Sequence, residues 1–237
     1  MTIFPSSYPL VDVADLPEHR IPKNLALCAL GLAFLYLATR PVERFCVTRP
    51  CELMQQALDM NGEGNLPAWF TVLCWFLAGI LSYCIAQVDK TPRQRIAWYG
   101  VMVFSFFISF DEMTMFHETF GSMMGTNIGR VSGVGDIFFY KWLIYGVLFA
   151  ITAGFVFLPF LYRLPQSTSR RIVMACAVFL SGAIGVEFLG AASEAGAIDL
   201  VRGKLWLIAI ALEETLEMLG VILFVSALLH HLSLNVE

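Results

Sequence analysis

Apolar residues along this chain come in long runs, and polar residues gather in short clusters between them. Six runs reach or approach the roughly 20 residues that a membrane-spanning helix needs: 24–39, 68–88, 95–118, 137–162, 171–194 and 204–232. The first is short, while the fourth and sixth are long enough to imply tilt or extension beyond a bilayer. The pattern predicts an all-α polytopic membrane bundle of about six transmembrane helices. With no obvious internal repeat, 24–232 reads as one membrane domain, flanked by an N-terminal arm, 1–23, and a tail, 233–237.

Composition agrees with that pattern. The chain has 237 residues, of which 58% are hydrophobic and 14% charged, against about 25% charged in ordinary soluble domains. Its mean hydropathy is +0.71. A net charge of −4 offers no footprint for nucleic acid, so the expected partners are membrane lipids and other membrane protein subunits. The arm carries Asp12, Asp15 and Glu18 where a cleavable export signal would be basic and then apolar, and it reads as retained.

Orientation follows from the basic residues of short loops. Lys90, Arg93 and Arg95 fill one such loop and Arg163, Arg170 and Arg171 another, on the same side as Arg20 and Lys23. Arg40, Arg44, Arg49, Arg130, Lys141, Arg202 and Lys204 are spread over longer connections on the opposite side. Basic density therefore predicts that both termini are cytoplasmic. On the outer side, P-C-E-L-M-Q-Q-A-L-D-M spaces Leu53, Met54, Ala57 and Leu58 as one helical face, suited to lying on the membrane surface. The stretch from Gly121 to Gly135 holds five glycines and reads as a mobile lid or an irregular connection. Cys46 and Cys51 in F-C-V-T-R-P-C-E read as two free thiols unless their loop faces an oxidising compartment.

The acidic residues are placed selectively. The third span contains Asp111, Glu112 and Glu118, the fifth Glu187 and Glu194, and the sixth Glu213, Glu214 and Glu217; the other three have none near their middles. At about 1.5 Å per residue, Asp111 and Glu187 lie roughly 24 Å from the cytoplasmic side, and Glu213 and Glu217 roughly 14–20 Å from the outer side. They share the outer half of a core about 30 Å thick. At about 100° per residue, Glu213 and Glu217 fall on one stripe, whereas Glu112 and His117 point about 140° apart and meet only through a local distortion. Spans three, five and six are therefore expected to be neighbours. Gly182, Gly185, Gly190 and Gly220 would permit close approach of the fifth and sixth.

An acid at the centre of a spanning helix costs about 2.5–3.5 kcal/mol. No basic residue shares this depth within a span, so protons, a cation or a basic group from another chain must compensate. Oxygen ligands with one imidazole suit hard or borderline divalent ions. The first expectation is thus a divalent-metal site (Fe, Mn, Mg or Ca) of structural or catalytic role, built from Asp111, Glu112, His117, Glu118, Glu187, Glu213, Glu214 and Glu217. The alternatives are an accessory or scaffold subunit of a larger membrane complex, and a proton or cation pathway.

Known motifs narrow this little. Glu213–Glu214 resembles the Glu-Glu motif of CAAX-type intramembrane proteases, but only His230 and His231 follow, where that family has histidines inside later spans. Carboxylate-bridged two-metal bundles use two Glu-x-x-His motifs, and Thr114 stands three residues before His117. The set S-F-D-E-x-x-x-x-H-E, G-x-E and E-E-T-L-E-M-L-G resembles bacterial multi-pass proteins described as hypothetical membrane proteins. The resemblance covers the last three-fifths of the chain and implies that these acids belong together in a bacterial inner-membrane protein. It implies no activity.

Overall fold

A computed structural model of the chain describes residues 20–41, 46–62, 64–117, 119–121, 123, 142–194 and 204–234. Most of the glycine-rich stretch, Glu118 and the side chain of Glu194 lie outside the described residues, as do most of the expected arm and tail. Every regular element among the described residues is helical: α1 (Arg20–Thr39), α2 (Arg49–Ala57), α3 (Leu66–Val88), α4 (Pro92–Thr114), α5 (Trp142–Leu161), α6 (Gln166–Leu180), a π-helical segment (Ser181–Val186), α7 (Glu187–Glu194) and α8 (Lys204–Leu234).

Five helices are long and apolar enough to cross a membrane: α1, α3, α4, α5 and the continuous Gln166–Ser193. The protein is accordingly a multi-pass helical membrane protein. Those five do not include the sixth expected span, α8, which carries Glu213, Glu214 and Glu217. α1 takes in Arg20–Lys23, four residues of the expected arm.

α8 is the hub. Thirty-one residues make it about 46 Å long, and it packs against α6, the π segment, α3 and α1. From Met218 onward its buried residues, Met218, Val221, Phe224, Val225, Ala227 and Leu228 among them, cover most of its surface and leave the stripe of Leu219, Leu223, Ser226 and His230 half-buried. A helix apolar over so much of its surface belongs in the interior. α5 is the opposite case, with Leu148, Ile151, Phe155 and Val156 exposed on a surface suited to lipid.

α4 departs from expectation, for its main neighbour is α3 and not the fifth and sixth runs. Small and polar residues explain this. Ser109 donates to the Val72 carbonyl at 2.9 Å, Ser105 is buried, and Gly79 on α3 leaves room for the Phe106 ring.

Local polar chemistry sets the helix ends. Asn65 caps α3 by accepting from the Ala68 N–H at 3.1 Å, and its amide donates to the Asp59 carbonyl at 2.6 Å. α2 carries Leu53 and Met54 on its exposed side, while buried Gln55 donates to the Thr39 carbonyl at 3.3 Å and closes the end of α1. Cys46 and Cys51 are joined in a disulfide that pins the loop to the first turn of α2, the second of the two states that the sequence left open.

Close helix approach to α8 rests on two glycines. A Cβ at Gly220 of α8 would lie 2.6 Å from the backbone of Phe179, and one at Gly182 would lie 2.7 Å from the Glu213 carbonyl. Gly220→Ala and Gly182→Ala should each destabilise the bundle, by about 1–3 kcal/mol as overpacking does. Gly154→Ala, where nothing lies within 4 Å, should be neutral or stabilising, since alanine favours helix by about 1 kcal/mol. Thermal unfolding of the purified variants measures all three.

Candidate functional site

The C-terminal end of α4 supplies the first part of the site. The helix stops at Met115, whose φ of 52° is left-handed and whose N–H still bonds the Asp111 carbonyl at 2.8 Å. A non-glycine residue held there costs about 1–2 kcal/mol, and Asp111 offsets that cost. Its carboxylate accepts from the His117 backbone N–H at 2.8 Å, and its other oxygen lies 2.8 Å from His117 Nδ1. The break folds His117 back over Asp111.

From His117 a contact path leads inward. Its ring meets Trp142 of α5 edge to face, with centroids 4.7 Å apart. Trp142 Nε1 donates to Glu187 Oε1 at 3.1 Å. Glu187 opens α7 directly after the π segment. A π turn takes up one extra residue and so rotates the helix beyond it by about 100°.

Glu187 also lies within interaction range of Glu213 on α8. Glu213 also lies within electrostatic reach of Glu214, and Glu217 within reach of Glu112, Glu187, Glu213 and Glu214. Gly182 seats the π segment on α8 at this level, where an added Cβ would also meet Glu217 Cγ at 3.1 Å.

Of the eight expected residues, the described structure therefore gathers seven in two linked groups, Asp111–His117 and Glu112–Glu187–Glu213–Glu214–Glu217. The metal expectation gains no support. Among the described residues, no group of three or more His, Cys, Asp and Glu side chains is arranged to hold a metal ion. Asp111 has both oxygens engaged by His117, and Glu187 accepts from Trp142.

Sequence reasoning missed two participants. Trp142 opens the apolar stretch of α5, and its position after Lys141 was its one signal. Arg40, assigned to an outer connection, sits at the end of α1 with Nη2 2.5 Å from Asp59 Oδ2 and its guanidinium 5.6 Å from the Tyr36 ring centroid. Tyr36 is within electrostatic reach of both Arg40 and Glu214. A basic group of this same chain thus enters the surroundings of the acids.

Fold and site define a multi-pass helical membrane protein with half-buried carboxyl groups gathered between helices. The chain belongs to the family described as a domain of unknown function, DUF8692, which matches residues 24–232. No curated protein and no solved structure matches it.

The Asp111–His117 bracket is open to test. Asp111→Ala removes the acceptor of the His117 N–H, a loss of about 1–3 kcal/mol, so amide exchange at His117 should quicken by about tenfold or more. Met113→Ala, at a side chain 72% exposed, should leave that exchange unchanged. Hydrogen–deuterium exchange read by mass spectrometry compares the two.

Proposed function

We propose that this protein is a six-span inner-membrane protein of bacteria whose outer-half carboxyl cluster takes up, shares and releases protons. The observation that carries the reading is the approach of Glu187 to Glu213 on two different helices, within reach of three further carboxyl groups; two carboxyls so placed share a hydrogen bond only when one of them keeps its proton. Acids at this depth are costly unless they act as a site or a pathway. Asp111 and His117 provide an outward port, because an imidazole exchanges a proton through either nitrogen. Trp142 ties that port to Glu187 while keeping bulk water from a direct path. The π segment supports the same reading, since π turns recur where a helix is bent to functional use.

The orientation proposed for this reading has both termini in the cytoplasm. Besides the basic loops, the Cys46–Cys51 disulfide favours it, because disulfides persist in oxidising compartments and this one lies in the connection between α1 and α3. α8 is read as the sixth span, its three acids sheltered by the helices around it.

Two measurements test the proposal. Infrared spectra of the purified protein at neutral pH should show a carboxylic-acid C=O band that Glu187→Gln and Glu213→Gln each reduce, and that Glu52→Gln, on exposed α2, does not. Absence of the band would sink the reading, and stoichiometric metal whose removal by chelator lowers the melting temperature would return the site to metal chemistry. Reporter fusions at Gly62 and Thr91 should fall on opposite sides of the membrane, Gly62 outside; a cytoplasmic signal from Gly62 would reverse the topology.

A further inference from the structure

At the end of the bundle away from the carboxyl cluster, a cleft of about 550 Å³ opens between the turn joining α3 to α4 and the turn joining α5 to α6. Lys90, Gln94, Arg163 and His231 of α8 are among its lining residues. We propose that this cleft binds a phosphate-bearing anion, either a lipid headgroup or a free phosphate.

The cleft is built and held. Gln94 Nε2 donates to the Arg163 carbonyl at 3.1 Å and ties the two turns together. Arg95 braces the first turn from α4 by donating to the Asp89 carbonyl at 3.1 Å. His231 is 4% exposed and fixed by Thr168 Oγ1, 3.2 Å from its Nδ1, and by the Trp98 ring, with centroids 4.9 Å apart. The cleft's volume lies in the range of small-molecule sites, about 300–1,000 Å³, and exceeds what a lone ion would need.

Charge selects the ligand class. Lys90 and Arg163 are exposed, and among the described residues neither forms an ion pair. Asp89 is the one acid lining the cleft. It is 8% exposed and already accepts from the Thr91 N–H at 2.8 Å. The ends of α3 and α8 bring carbonyls here, offset by the starts of α4 and α6, whose N-cap residues Thr91 and Pro165 make no side-chain capping bond. Those first turns keep free N–H donors. The two basic side chains decide the balance, as in other basic pockets between spans that take anionic headgroups.

The test uses the purified full-length chain, and its readout is the melting temperature at constant ionic strength. One arm adds millimolar inorganic phosphate in place of chloride in neutral detergent. The other compares phosphatidylcholine bilayers with and without phosphatidylglycerol. At least one probe should raise the melting temperature. Lys90→Glu with Arg163→Glu should weaken that response by tenfold or more, while Lys23→Glu with Arg170→Glu, an equal charge change at exposed positions outside the cleft, should preserve it. A response to phosphatidylglycerol alone assigns a headgroup, and one to inorganic phosphate assigns the soluble ion. Should the glutamate pair fail to fold, Lys90→Gln with Arg163→Gln takes its place under the same criterion. No shift with either probe, or equal loss in the cleft and control variants, would overturn the proposal.

Discussion

The structure turns on one backbone approach, that of the π segment to α8 at Gly182. With no side chain between them, the two helices close until the Glu213 carbonyl occupies the space of a missing Cβ. That closeness brings the Glu187 and Glu213 carboxyls within interaction range of one another. Gly220 repeats the device on α8, against the Phe179 backbone. Wider spacing would leave each acid alone in an apolar setting, at the cost that keeps such residues out of most spanning helices.

A second constraint, local and covalent in origin, shapes the mouth of the site. α4 could have run on in register past Thr114, carrying His117 away from Asp111. The left-handed residue Met115 prevents this, and the carboxylate of Asp111 binds both the backbone and the ring of His117. The motif D-E-x-x-x-x-H-E is then a folded bracket, with its Asp and its His in contact.

How much of this was legible depends on the kind of signal. Apolar runs announce spanning helices because length and hydropathy suffice for that inference, and the all-helical membrane fold follows from them. The association of Glu187 with Glu213 and Glu217 was readable from depth and from glycine spacing, both properties of a regular helix. Three things were not. The π segment rotates its helix through hydrogen bonding that leaves no periodic trace beyond Gly182 and Gly185. Arg40 was counted as a loop charge, because sequence distance hides that the end of α1 folds over Asp59. The preference of α4 for α3 rests on serines and on Phe106 filling the space beside Gly79, a matter of shape and not of hydropathy.

The central place of α8 has a consequence for biosynthesis. Every helix that packs on it precedes it in the chain, so the ribosome delivers the walls before the pillar. Until α8 arrives, Gly182 faces nothing, Glu187 lacks its carboxyl partner, and the earlier spans can associate only in part, as α3 and α4 do. Assembly of the bundle is therefore a late, concerted docking event. A chain interrupted before Lys204 would leave in the lipid a set of inserted helices with an unquenched acid, the kind of intermediate that membrane quality-control proteases recognise and remove.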